Sequence, residues 1–153
     1  MVEMSDGTRA EVVRRAGERA REYFTQGRCC AEAVVAATVG VFGRGVDPSL
    51  LIASKGLCGG MGGHRATCGV FTGGALALSL LAGPEFPKDR LKAMTADFHS
   101  WLAEEAGGQI CSELLERMGP SNFNHRLCGE LTGRGAELTA TLAWTCGRND
   151  KPA

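Results

Sequence analysis

The stretch from Gly59 to Ser79, GGMGGHRATCGVFTGGALALS, constrains the fold of this chain more than any other part of its sequence. It places seven glycines, a histidine and a cysteine before and inside a run of small apolar residues. The run from Cys68 to about Leu81 has few polar positions, which predicts a buried central helix that neighbouring helices approach closely. The close approach is expected at its smallest residues, Gly73, Gly74, Ala75 and Ala77.

Three other interpretations of this stretch fail on chemistry. A phosphate-binding P-loop needs Lys and Ser or Thr after its last glycine, and no Lys follows the glycines here. A dinucleotide fingerprint needs a preceding strand, whereas the preceding segment has helical periodicity. The apolar run from Cys68 to Pro84 is shorter than the ~20 residues that span a bilayer. We therefore expect neither nucleotide binding nor membrane insertion.

The rest of the chain is also helical in pattern, with no alternating strand pattern of useful length. Helices are predicted over about residues 8–26, 29–41, 47–56, 68–81, 86–106, 110–119 and 128–145. The sequence thus predicts an all-α, compact, single-domain bundle of about six to seven helices over residues 1–147, with a flexible tail at 148–153. In the longer helix after Pro87 the core stripe is predicted to be Leu91, Met94, Phe98, Trp101 and Leu102.

Charge and composition exclude some partners. The 17 basic and 17 acidic residues give a net charge of zero, so nothing favours nucleic-acid binding. The charged N-terminal segment lacks the apolar core of a signal peptide, which predicts a cytoplasmic protein. Low net charge and 44% hydrophobic residues are compatible with a homodimer.

The seven cysteines are the main chemical signal. In a cytoplasmic chain they favour metal binding or redox chemistry over structural disulfides. Four of them fall at predicted helix starts, where free N–H groups and the helix dipole stabilise a thiolate. Their separations of 38, 43 and 17 residues exclude zinc knuckles, ferredoxin runs, thioredoxin-type pairs and haem motifs, so folding must assemble any site. The four are Cys30, Cys68, Cys111 and Cys128, and the others are Cys29, Cys58 and Cys146.

Several short motifs resemble one family. CGVFTG, from Cys68 to Gly73, resembles the CGAxxG signature of the redox-active C_GCAxxG_C_C proteins. GLCGGMGG is similar to the FGGGMG segment of that family, and GRCCAEAV is similar to its opening G-x-N-C-A-x-A-V. ICSELL is similar to its NCRELL segment, and Cys128 fits the last cysteine of the family pattern. The resemblance runs from about Gly27 to Leu142. The departures are Val70 for Ala, Cys29 for a polar residue and Cys58 for Gly.

The resemblance implies redox activity centred on Cys30, Cys68, Cys111 and Cys128. Members of the family are often encoded near transporter genes, which implies a transporter system as a partner besides an unidentified redox partner. Related domains in split-Soret cytochromes carry haem and an iron–sulfur centre, but no haem motif occurs here. Auxiliary ligands are expected at Cys29, Cys58 and His64, and backbone contacts to the site at Gly59, Gly60, Gly62 and Gly63.

Three functions remain open at this point. The first is electron transfer by a [2Fe–2S] or [4Fe–4S] cluster on the four cysteines. The second is a thiol–disulfide oxidoreductase in which Cys68 is the catalytic nucleophile and Cys30 resolves the mixed disulfide. The third is a module that binds zinc or another soft metal ion, with His64 and His125 as substitute ligands. The residues do not decide whether the protein is an enzyme.

Overall fold

A computed structural model describes residues 7–146, in which every regular element is helical. The α-helices are α1 (Arg9–Thr25), α2 (Cys30–Val41), α3 (Pro48–Ser54), α4 (Cys58–Met61), α5 (Gly69–Ala82), α6 (Lys88–Ala106), α7 (Cys111–Met118) and α8 (Arg126–Cys146). Two 3-10 segments, Lys55–Leu57 and Gly119–His125, precede α4 and α8. Within 7–146 the β-type pairing is one isolated bridge, Thr67 with Ile110. The predicted all-α fold is confirmed.

Side-chain caps fix several helix starts. The Thr8 hydroxyl accepts the N–H of Glu11 at 3.2 Å and begins α1. The Asp47 carboxylate accepts the N–H of Ser49 at 2.8 Å, with Pro48 in the first turn of α3. These are cap residues that the sequence identifies directly, so the predicted and observed helix starts agree closely there.

The central helix α5 is buried among α2, α6 and α8, as predicted. A Cβ on Gly73 would lie 2.8 Å from the Ala31 carbonyl oxygen, so the backbones of α5 and α2 are in contact. A Cβ on Gly74 would overlap the Phe98 ring of α6, so that ring fills the space left by the glycine. Burying a side chain such as Phe98 stabilises the fold by about 1.5–3 kcal/mol.

One predicted core residue is wrong. Trp101 is 43% exposed, whereas Met94, Phe98 and Leu102 are buried and Leu91 is half-buried. At about 100° per residue Trp101 lies about 60° from Phe98 around the axis of α6, on the edge of the apolar stripe. The helical period alone did not show where the stripe ends.

Within residues 7–146 no helix is both long enough and apolar enough to cross a membrane. The predicted tail, 148–153, lies outside the described residues, and the domain limits stay a prediction.

Candidate redox site

The four cysteines expected to form a site line one cavity of about 420 Å³. They reach it from four separate parts of the chain, so the tertiary fold alone brings them together. The rest of the lining is largely apolar, which keeps the effective dielectric low around the sulfurs. The cysteines are Cys30, Cys68, Cys111 and Cys128, and the apolar lining includes Phe24, Val70, Leu114, Leu115, Met118 and Leu131.

Each of the four thiols lies at the start of a helix, either in its first turn or at its N-cap. Cys30 and Cys111 are the first residues of α2 and α7, and Cys68 is the N-cap of α5. Cys128 is the third residue of α8, because that helix begins two residues earlier than the sequence predicts. The cause is Asn122, whose Oδ1 accepts the N–H groups of Leu127 and Cys128 at 2.8 and 3.2 Å.

Cys30 and Cys68 interact directly. The Cys68 thiol donates a hydrogen bond to Cys30, and the N–H groups of Ala31 and Gly69 add to it, lowering the pKa of Cys30 to about 7 despite its burial. Donating that hydrogen bond, together with burial at 7% exposure, raises the pKa of Cys68. A Cβ on Gly69 would lie 2.6 Å from the Cys30 sulfur, so the glycine permits the contact.

Cys111 and Cys128 are less well stabilised as thiolates. Burial raises the pKa of both, and the charge of Cys30 adds to the effect. The favourable partners are Arg65, whose charge acts on Cys111, and Asn122, whose Nδ2 donates to the Cys128 sulfur at 3.3 Å. A nearby cation would therefore lower the pKa of both thiols, because it favours their ionised form.

The loop before α5 pairs with the segment before α7. Cys68 N–H donates to the Gln109 carbonyl at 2.8 Å, and Cys111 N–H donates to the Ala66 carbonyl at 2.6 Å. These two bonds cross between the segments and hold the starts of α5 and α7 side by side. Cys68 and Cys111 are brought to one cavity in this way, although 43 residues separate them in sequence.

The four glycines expected to contact the site differ in position. Gly59 and Gly63 line the cavity. Gly60 is buried, and a Cβ there would lie 2.7 Å from the Ala66 nitrogen. Gly62 is exposed and has nothing within 4 Å of its Cβ position. All four have positive φ, which glycine adopts without the cost that L side chains incur.

Cys29 and Cys58 form a disulfide, with their Cα atoms 5.7 Å apart. The bond ties the N-cap of α2 to the first residue of α4. Glu32 lies beside it, accepting the Cys29 N–H at 3.4 Å with its Oε1 3.9 Å from the Cys58 sulfur. Sequence reasoning treated both as auxiliary thiols and missed the pairing. The sequence did contain one indication of the pairing, because Cys29 and Cys58 both depart from the pattern of the family that the chain resembles.

The remaining candidates lie away from the cavity lining or at its edge. His64 is exposed and is not part of the lining, while His125 is exposed and does line the cavity. Cys146 is buried in the core with its sulfur 3.6 Å from the Met94 sulfur.

A family model described as "Putative redox-active protein (C_GCAxxG_C_C)" matches residues 28–142 of the 153-residue chain. Neither a curated protein nor a solved structure gives a match. The matched range contains the four cysteines of the candidate site, together with Cys29, which also lines the cavity, and its disulfide partner Cys58. On that match, the chain belongs to the C_GCAxxG_C_C family.

Proposed function

We propose that this protein carries electrons through an iron–sulfur cluster held by Cys30, Cys68, Cys111 and Cys128. The observation that carries the proposal is that four thiols from four helix starts line one largely apolar cavity. Four cysteine thiolates are the complete protein ligand set of a [2Fe–2S] or [4Fe–4S] cluster. When bound, such a cluster supplies reversible one-electron transfer.

The spacing of the sulfurs favours a multi-iron cluster over a single zinc ion. Zn–S bonds of about 2.3 Å in a tetrahedron place the sulfurs about 3.8 Å apart. Among residues 7–146, three or more candidate ligand atoms within 4.8 Å of one another occur only at Cys29, Glu32 and Cys58. The four cavity thiols are therefore spread more widely than one zinc ion requires, in a cavity of about 420 Å³.

The surroundings of the thiols also suit a cluster. The N–H groups of Ala31 and Gly69 point to the Cys30 sulfur, and that of Val70 to the Cys68 sulfur. Asn122 donates to the Cys128 sulfur. Hydrogen bonds to ligand sulfurs stabilise added negative charge and so tune the reduction potential. The chain's own role is to fix these donors and to limit the access of water.

The test is the iron and acid-labile sulfide content of protein purified without oxygen, together with its visible absorbance. We expect iron and sulfide in equal amounts and a brown protein that dithionite bleaches. Colourless, iron-free protein with four reduced thiols in the cavity would overturn the proposal. Stoichiometric zinc with no redox change would instead support the metal-binding alternative.

Single serine variants at the four positions sharpen the test. Each variant should lose most of the iron, because a ligand is removed; the four are Cys30→Ser, Cys68→Ser, Cys111→Ser and Cys128→Ser. The control is Cys29→Ser combined with Cys58→Ser, which removes the disulfide and no residue of the proposed ligand set. It should retain iron and sulfide in the same ratio as the unmodified protein.

A second candidate is thiol–disulfide exchange by the Cys30–Cys68 pair, which the direct contact of these thiols supports. The surroundings favour Cys30 as the attacking thiolate and Cys68 as the resolving thiol, the reverse of the roles expected from sequence. Cys30 would attack a substrate disulfide and release one substrate thiol. Cys68 would then lose its proton, attack the Cys30 sulfur and release the second.

This candidate is tested by counting the Cys30 and Cys68 thiols in iron-free protein across a glutathione redox series. A reversible two-electron transition that Cys68→Ser removes would support it. Full reduction of both thiols at every ratio would contradict it. A cytoplasmic location, a transporter system as partner and a homodimer stay predictions.

A further inference from the structure

The Cys29–Cys58 disulfide lies at the edge of the proposed site and has no part in the proposed function. Cys29 precedes Cys30 directly, yet its sulfur is bonded to Cys58 and not to any of the four cavity thiols. The bond is not part of the packed core, because both residues are half-buried. A carboxylate also lies close to the two bonded sulfurs, since one oxygen of Glu32 is within 4.8 Å of both.

The chain around Cys58 is open to another molecule. Gly56 and Gly59 flank Cys58, and neither has an atom within 4 Å of its Cβ position. Two large apolar side chains near it in sequence are unusually exposed, Ile52 at 65% and Met61 at 53%. Scattered exposed apolar residues are normal, but here they accompany a reachable disulfide.

We propose that Cys29 and Cys58 form an exchangeable disulfide that oxidises dithiol substrates and is regenerated by disulfides. Both cysteines are half-buried, and the Cβ positions of Gly56 and Gly59, on either side of Cys58 in the chain, meet no other atom within 4 Å. An attacking thiolate can therefore approach this part of the chain, and access is one determinant of the exchange rate. This chemistry is separate from one-electron transfer at the four cavity thiols. It requires no metal.

The exchange balances in two steps. A substrate thiolate attacks the Cys58 sulfur, the Cys29–Cys58 bond breaks, and Cys29 leaves as a thiolate at the start of α2. The second substrate thiolate attacks the substrate sulfur of the mixed disulfide and expels Cys58. The substrate is oxidised by two electrons, its two protons end on Cys29 and Cys58, and the reverse path reoxidises the pair. Glu32 lies where it can accept a hydrogen bond from the Cys58 thiol.

The experiment follows the Cys29 and Cys58 thiols by alkylation and peptide mass spectrometry in whole protein. Dithiothreitol is the small dithiol probe, and reduced insulin chains are the protein probe. We expect both thiols to appear together as dithiothreitol increases and to disappear together when glutathione disulfide is added. Faster reaction with the insulin chains would identify a protein substrate, and faster reaction with dithiothreitol a small one; either supports exchange.

Variants separate this pair from the cavity thiols. Cys58→Ser should slow substrate oxidation at least tenfold, and Cys58→Gly provides the same loss if the serine variant folds poorly. Gly56→Ala is the matched control, because it changes the same loop where a Cβ meets nothing. Undiminished oxidation by both Cys58 variants, or a pair that stays oxidised in excess dithiothreitol, would overturn the proposal. The iron and sulfide content of the same samples tests the cluster independently, so the failure of one proposal leaves the other standing.

Discussion

Glycine has different roles in two walls of the cavity. The helix wall consists of Cys30 and Cys68, where α2 and α5 meet at their starts, and Gly69 packs against the Cys30 sulfur without lining the cavity. The loop wall consists of Gly59, Gly63 and Arg65. At the helix wall, the absence of a side chain on glycine allows α5 to contact the Cys30 sulfur and the α2 backbone. Glycine in the loop wall supplies positive φ so that the chain can turn.

The two walls are also held in place by different contacts. In the helix wall, the missing side chain of Gly69 lets the Cys30 sulfur approach the start of α5. One turn further along α5, at Gly73, the backbones of α5 and α2 are in contact. The loop wall is held by the backbone bonds of Arg65 to Gly59 and Ala66 to Gly60, at 2.9 and 3.0 Å, and by the disulfide. The lowered thiol pKa, that of Cys30, belongs to the helix wall, whereas the loop wall is exposed and contributes the charge of Arg65.

The largest expected effect lies under the loop wall, at Gly60. Gly60→Ala should lower the free energy of unfolding by about 2–3 kcal/mol, since its Cβ would combine left-handed strain with a 2.7 Å approach to the Ala66 nitrogen. Gly62→Ala has nearly the same φ and no neighbour, so it should cost only about 1 kcal/mol. Urea unfolding measures both. Equal losses would show that close packing has no part in the loop wall.

The next effect is at Gly73, beside the helix wall. Gly73→Ala should cost about 1–2 kcal/mol, because overpacking against Ala31 outweighs the better helix propensity of alanine. The control is Gly40→Ala in α2, where a Cβ meets only the end of Arg19 at 3.5 Å. It should stabilise the protein by about 0.5–1 kcal/mol. A stabilised Gly73→Ala protein would contradict the backbone contact described here.

Cys30, in the helix wall, should also differ in reactivity from Cys111, which feels the charge of Arg65 in the loop wall. In metal-free protein the alkylation rate of Cys30 should rise with pH through about 7, because the thiolate reacts and its pKa is lowered to about 7. Cys111 has a raised pKa, so at pH 7 it should react at least about tenfold more slowly. Mass spectrometry of alkylated peptides gives both rates. Parallel pH profiles would remove the distinction between these two thiols.

The smallest expected effect is at Arg65. The charge of Arg65 lowers the pKa of Cys111, although burial outweighs it. Arg65→Gln should therefore move the alkylation profile of Cys111 to higher pH by less than about one pH unit. Lys92→Gln on the exposed face of α6 is the matched loss of one positive charge and should leave the profile in place. An unchanged profile in Arg65→Gln would mean that the loop wall has no electrostatic role.

Much of the fold was predictable because its signals are local. Thr8 and Asp47 are N-cap residues, which indicate that a helix begins at the next residue. The small apolar residues of α5 predict a buried helix. The start of α8 was misplaced by two residues because its cap, Asn122, lies four residues before the helix begins and acts through the turn that follows Gly119. Trp101 was misplaced because helical periodicity does not give the width of a buried stripe.

The candidate site shows the same division. The sequence by itself determined that Cys30, Cys68, Cys111 and Cys128 occur at helix starts, because helix capping depends on neighbours in the chain. Only the tertiary structure decided which sulfurs meet. The Cys29–Cys58 bond and the Cys30–Cys68 contact depend on how α2, α4 and α5 pack. Because these cysteines are separated by 29 and 38 residues, the sequence around each one does not identify its partner.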